Sequence, residues 1–321
     1  MNPARTRIVT ANGIRIRLTE QGAGPAVLLC HGFPETAYSW RHQLRVLAEA
    51  GYRAIAPDMR GDGGTDRPEP IDAYTLLHLV GDMVGILDAL DLPDAVIAGH
   101  DWGAPVAWHA ALLRPDRFRA VIGLSVPFRP RITSQPTSRM PQDADALFYQ
   151  LYFQTPGVAE AELGRDPRAS LHRLLWAASG EGSGGAAGGF AMVPRTGGFL
   201  TRMDAAPRLP TWLTAADLES YAASFAASGF AGGLNWYRNI DRNWELLAAF
   251  ADRRIEVPAL YVVGDRDPVK HFRGMDETLA ALPRWVPGLR ETLILPGCGH
   301  WTQQERPAEV NAAMIAFLAA L

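Results

Sequence analysis

The chain has 321 residues, beyond the usual size of one domain, so one large core with an insertion or a second domain is expected. A hydrophobic content of 48% supports a sizeable core, and a net charge of −3 without a basic block argues against nucleic acid as a partner. No apolar run approaches the roughly 20 residues needed to cross a bilayer, and the opening Met-Asn-Pro-Ala-Arg-Thr-Arg lacks the apolar segment of a secretory signal. Cys30 and Cys298 both fall in apolar, strand-like contexts and read as buried free thiols, so a soluble, cytoplasmic protein is expected.

Two β-prone segments open the chain, 7–10 and 14–18, and the intervening Ala11-Asn12-Gly13 signals a hairpin. Residues 26–30 (Ala-Val-Leu-Leu-Cys) read as a strand buried on both faces, running straight into His31-Gly32-Phe33-Pro34-Glu35. Helical spacing over 37–50 puts Trp40, Leu44 and Leu47 on one side, and Gly51 stops it. A strand over 52–56 leads into the glycine-rich 57–64, which has neither a following Lys-Ser/Thr nor a dinucleotide pattern, so no nucleotide is expected there.

A helix over 76–90 precedes the stretch around which the chain is organised, Val96-Ile97-Ala98-Gly99-His100-Asp101-Trp102-Gly103-Ala104-Pro105. Small residues two before and two after Asp101 allow a sharp strand-to-helix turn. A carboxylate pointed out of that turn, near the first amides of a helix, is stabilised as the anion and remains free to attack. Alone, the pattern also fits an ordinary Asp capping a helix. The strand at 118–124 completes a strand–helix alternation that means a parallel sheet covered on both faces.

The rhythm changes over 128–245, where no convincing buried strand is found. Helices are expected at 145–153, 159–163, 169–177, 215–227 and 235–250, with Thr214 and Asp217 as a capping box and Gly229 as a stop. Residues 179–189, mostly glycine and alanine, read as a mobile loop. The sheet resumes at 258–264 and 291–295, and a last helix over 309–321 carries Met314, Phe317 and Leu318. The organisation expected is a core of 1–130 plus 251–321 with a helical cap, 131–250, inserted in it.

The resumed strands end in Asp265-Arg266-Asp267-Pro268 and Gly297-Cys298-Gly299-His300-Trp301. Ligand sites in open parallel sheets gather at those ends. Asp101, Asp267 and His300 thus follow the order nucleophile, acid, histidine. The histidine can take a proton from water near neutral pH, and the acid fixes its tautomer and steadies the imidazolium. Asp267 is preferred to Asp265, and His271, in a charged helix start, suits ordinary solvation better than catalysis. No cluster has metal-ligand spacing, and neither a metal nor a cofactor is expected.

The motifs His31-Gly32-Phe33-Pro34, Gly99-His100-Asp101-Trp102-Gly103, Gly264-Asp265-Arg266-Asp267 and Gly299-His300-Trp301 resemble those of the α/β-hydrolase-fold epoxide hydrolases, and the resemblance covers nearly the whole chain. It implies an α/β-hydrolase fold, a mostly parallel eight-stranded sheet with an inserted helical cap. The core motifs alone are also similar to dehalogenases that use aspartate. The cap segments Tyr149-Gln150-Leu151-Tyr152-Phe153-Gln154-Thr155-Pro156-Gly157 and Gly233-Leu234-Asn235-Trp236-Tyr237-Arg238-Asn239 discriminate better, because they look like the two that supply epoxide-polarising tyrosines. Those tyrosines fall here on Tyr149 and Tyr237, with Tyr152 as the neighbour on nearly the same helix face.

Physics gives an independent reason for two phenols. Opening an epoxide develops an alkoxide, which needs a strong donor, and a phenol with a pKa near 10 donates without ionising. A halide leaves as a stable anion and needs only weak donors. The resemblance implies attack by Asp101 on a small hydrophobic epoxide, then hydrolysis of the ester by water activated by His300. The backbone N–H groups of Phe33 and Trp102 would form the oxyanion hole. His31, Pro34, Gln150, Trp236 and Trp301 are expected around the substrate. A dehalogenase is the alternative enzyme and a non-catalytic small-ligand receptor the alternative class. A homodimer stays open, with no apolar stripe that requires it.

Overall fold

The computed structural model describes residues 3–182, 191–203 and 205–321. Its strands, in chain order, are β1 (Arg5–Ala11), β2 (Ile14–Gln21), β3 (Ala26–Cys30), β4 (Arg53–Pro57), β5 (Ala95–His100), β6 (Phe118–Leu124), β7 (Ala146–Phe148), β8 (Met192–Pro194), β9 (Ala259–Gly264) and β10 (Leu289–Leu295). Eight form one sheet in the order β1-β2-β4-β3-β5-β6-β9-β10, and β7 pairs with β8 apart from it. Only the β1–β2 and β2–β4 pairings of the large sheet are antiparallel. The hairpin closes at Asn12-Gly13, with Asn12 at φ 48° and Ala11 opposite Ile14.

Side chains alternate across a strand, so each central strand feeds two cores. Leu28 and Cys30 of β3 and Ile97 of β5 point to one face, whereas Val27, Leu29, Val96 and Ala98 point to the other. The first face is covered by α2 (Leu76–Ala89) and α3 (Gly103–Leu113), through Met83, Ile86, Val106 and Trp108. The second is covered by α1 (Arg41–Glu49) and the C-terminal helix, through Leu44, Leu47, Met314, Phe317 and Leu318. Trp40 joins the same core from a single 3-10 turn that precedes α1, so the helix expected over 37–50 is split.

All eight strands of the large sheet lie outside residues 131–250. The excursion carries α4 (Tyr149–Tyr152), α5 (Val158–Leu163), α6 (Pro167–Ala177), α7 (Ala215–Ser228), α8 (Ala231–Arg238) and α9 (Ile240–Leu246). After β9 come α10 (Met275–Trp285), α11 (Thr302–Glu305) and α12 (Pro307–Ala319). Thr214 caps α7 with Asp217 in a reciprocal box, and Gly229 ends it at φ 70°.

Two further expectations are corrected. The helix at 145–153 is the strand β7 followed by the single turn α4, because Asp143 accepts the Asp145 and Ala146 N–H groups and 146–148 pairs with 192–194. The helix at 235–250 breaks at Asn239, whose Nδ2 donates to Asn235 O (2.9 Å) and to Ile71 O of the core (2.7 Å). Of the expected mobile loop, 183–189 lies outside the described residues. Its start is held, with the Gly180 N–H donating to Glu305 Oε2 at 2.9 Å. No helix among the described residues is long and apolar enough to cross a membrane.

Candidate active site

The turn between β5 and α3 is tight enough to dictate its sequence. Asp101 sits at φ 49°, a left-handed conformation that costs a non-glycine residue energy. A Cβ on Gly99 would collide with the Gly103 carbonyl, and one on Gly103 would collide with the Cys30 carbonyl. Glycine at both places lets α3 begin directly above the sheet. The Asp101 carboxylate then stands 8% exposed at the strand ends, beside the start of α3. Its Oδ1 accepts the Phe33 N–H at 2.8 Å, from the loop that follows β3.

Across from it, His300 Nε2 lies 3.4 Å from Asp101 Oδ2. On the other side of the ring, Nδ1 lies 3.1 Å from Asp267 Oδ1 and 2.9 Å from Ser125 Oγ. Asp267 is fully buried and its Oδ1 also accepts the Val269 N–H at 2.9 Å. Asp265 meets the neighbouring His271 instead, through its backbone carbonyl (2.9 Å). Backbone bonds fix the His300 loop: its N–H donates to Ala178 O (2.8 Å) and its carbonyl accepts from His100 Nε2 (2.7 Å).

Burial alone would push His300 down. The Asp267 and Asp101 carboxylates outweigh it and hold the imidazole well above the ordinary histidine range. Burial would likewise raise Asp267, but the facing His300 and the Ser125 hydroxyl keep its carboxyl below the usual value. The pair is therefore poised as carboxylate and imidazolium.

Above this group lies a largely apolar cavity of about 520 Å³, counting the part open to solvent. Asp101 and His300 line it together with Tyr149 of α4 and Tyr237 of α8. The two rings meet edge to face at 5.9 Å, and Tyr237 packs on Trp102 at 5.1 Å. Burial first, then the Asp101 charge, pushes both phenols above the ordinary tyrosine value, so both keep their protons. Tyr152 turns away and donates to Glu162 at 2.9 Å.

The α/β hydrolase fold family matches residues 25–307. Epoxide hydrolase A of Mycobacterium tuberculosis is 45% identical over 100% of this chain and 99% of its own. Among solved structures, an epoxide hydrolase from an endophytic Streptomyces superposes with a TM-score of 0.94 at 46% identity, covering 99% of this chain and 96% of that one. Epoxide Hydrolase A from Mycobacterium thermoresistibile gives 0.92 at 46% identity, covering 99% and 98%. The chain belongs to the epoxide hydrolases of the α/β-hydrolase fold.

In this epoxide hydrolase the cavity wall differs from the one expected. Pro34 and Trp301 line it, but His31, Gln150 and Trp236 do not. His31 is fully buried, donating from Nδ1 to Gly32 O (2.9 Å) and accepting the Met59 N–H at Nε2 (2.8 Å), so it holds two loops together. Trp236 donates to Arg60 O (3.2 Å) behind the wall, and Gln150 reaches the site only by donating to the Tyr149 hydroxyl at 3.1 Å. The wall also takes in Phe153, Leu174, Phe199, Met203, Val269 and Phe272. Phe153 was readable, four residues after Tyr149 on one helical face. Ser125 was readable too, since it follows β6 at the ligand end of the sheet. Phe199 and Met203 carry no local signal.

Proposed function

We propose that this epoxide hydrolase converts small apolar epoxides to vicinal diols through an ester on Asp101. One observation carries the reading: a carboxylate and two phenols, whose pKa burial and the Asp101 charge push upward, line a single largely apolar cavity. Oδ2 of Asp101, the oxygen toward His300, attacks an epoxide carbon while Tyr149 and Tyr237 hold the epoxide oxygen. The C–O bond of the ring breaks, and the oxygen, still bonded to the other carbon, takes a tyrosine proton and becomes a hydroxyl. Oδ1 becomes the ester carbonyl, already hydrogen-bonded to the Phe33 N–H. The Trp102 N–H, at the start of α3, is the second donor of this oxyanion hole.

Esterification removes one of the two negative charges that hold the proton on His300. The imidazolium then releases its proton more readily, which makes good the one given by the tyrosines. Neutral His300, oriented by Asp267, next takes a proton from water as that water attacks the ester carbonyl. Collapse of the tetrahedral oxyanion frees the diol and restores the Asp101 carboxylate beside imidazolium. Residues 131–250 serve as the cap over a core of 1–130 and 251–321, and the buried free thiols Cys30 and Cys298 suit a reducing, cytoplasmic setting.

A single turnover in oxygen-18 water, with enzyme in excess over a styrene-type epoxide, tests this. The first diol should carry no label, since its new oxygen comes from Asp101, and the label should appear on the protein. Label in the first diol would mean that water attacks the epoxide directly.

A further inference from the structure

One carboxylate holds the loop that carries His300 on both sides. Glu305, 8% exposed, ends the single turn α11 and reaches back to that loop. Its Oε2 accepts the Gly299 N–H at 2.9 Å, and its Oε1 accepts the Trp301 N–H at 3.1 Å. The residues before and after His300 therefore donate to the same group. A third N–H, from Gly180, comes from residues 131–250 and reaches Oε2 at 2.9 Å.

The two stretches of main chain touch at this point. A Cβ on Gly299 would run into the Gly180 nitrogen, and one on Gly180 would run into the Gly297 carbonyl. The His300 N–H donates to Ala178 O at 2.8 Å, and Arg266 Nη1 donates to Gly180 O at 2.9 Å. Buried main-chain N–H groups need an acceptor, and a single buried carboxylate serves three of them. Burial pushes the Glu305 carboxyl above the usual range, and the same three N–H groups pull it back. Asp267 and Ser125 hold the imidazole of His300. Glu305 holds the main chain from which that imidazole projects.

We infer that Glu305 is a positioning residue: by joining Gly299, Trp301 and Gly180 it sets where His300 stands between Asp101 and Asp267. This rests on the reading of His300 as the base of ester hydrolysis. Because His300 acts in ester breakdown and the tyrosines in ester formation, loss of Glu305 should slow the second step and spare the first. A general structural defect would slow both.

The test is rapid-quench single-turnover kinetics with styrene oxide, following ester and diol separately. Glu305→Gln keeps the length but turns an amide nitrogen, a donor, toward an N–H. It should slow ester hydrolysis on the order of tenfold, as a small displacement of a reacting group does, with ester formation unchanged. Glu305→Asp keeps the charge but is one carbon too short to meet all three N–H groups, so it should show the same selective loss. In a His300→Gln background, Glu305→Gln should add little, since the group it positions is gone. Should Glu305→Gln not fold, Glu305→Asp must show the selective loss by itself. Equal slowing of both steps, native hydrolysis in Glu305→Asp, or losses from Glu305→Gln and His300→Gln that multiply, would overturn the inference. His300→Gln alone leaving hydrolysis at the native rate would instead overturn the reading on which it rests.

Discussion

Replacing both cavity tyrosines by phenylalanine should all but stop ester formation while leaving the fold intact. The rings survive the substitution, and the rings do the packing. Tyr149 stacks on Phe199 at 5.7 Å and meets Phe153 at 5.5 Å; Tyr237 meets Phe153 at 5.0 Å and Phe33 at 5.8 Å. What is lost is two hydroxyls beside a cavity; giving up the Gln150 bond to Tyr149 costs about 1 kcal/mol of stability. A donor aimed at developing charge is worth about 3 kcal/mol, or roughly a hundredfold in rate. Each single variant should lose somewhat less than that, because the remaining hydroxyl can turn to the oxygen. The double variant then loses both donors, roughly a ten-thousandfold drop if the two terms add. The rate to follow is ester formation in a single turnover, by rapid quench and intact mass, since steady-state turnover would hide it if hydrolysis limits. Tyr152→Phe is the control: its hydroxyl is spent on Glu162, and ester formation should not change. A double variant that forms ester at the native rate would refute the assignment of the alkoxide donors.

His300→Gln should still form the ester, drawing its proton from the tyrosines, and then stall. Intact mass should show the whole protein heavier by one epoxide, and an unmodified protein under saturating epoxide would move His300 to the first step. The two steps should also part in their pH dependence. Ester formation should stay level from about pH 6 to pH 9, because both phenols are pushed above their ordinary value of about 10 and keep their protons. Hydrolysis needs neutral His300, whose value in the free enzyme is raised by Asp267 and Asp101 and falls when Asp101 is esterified. It should therefore slow as pH drops through the value left by Asp267 alone. The check is the two rates against pH in single turnover; parallel profiles would sink the charge argument.

The core was legible because its signals are local. A continuous apolar run such as Val27 to Cys30, bounded by turn residues, reads as a strand buried on both faces, and glycines flanking Asp101 are what a backbone collision at that turn demands. Asp267 could be separated from Asp265 only weakly, since both lie in one turn. The hydrogen bond to His300 that distinguishes them depends on which carboxylate the turn swings inward. Residues 131–250 were less legible because their structure is set from outside themselves. Asn239 breaks a helix that periodicity alone would continue, and it does so by bonding to Ile71 in the core.

The same distinction runs through the site. Groups that carry charge, Asp101, Asp267 and His300, sit at the ends of sheet strands, where the backbone that places them is rigid and locally encoded. The phenols and apolar groups of the cavity wall, Tyr149, Tyr237, Phe199 and Met203, sit on short helices and turns of the excursion. Helices as short as α4 and α8 are marginal alone and hold their register by contacts with something else. For α8 that something is the core, through Arg60, Gly61 and Ile71. The distance between carboxylate and phenol is thus set at the join between the two parts, and on the proposed mechanism a change in that join should alter ester formation without touching Asp101, Tyr149 or Tyr237.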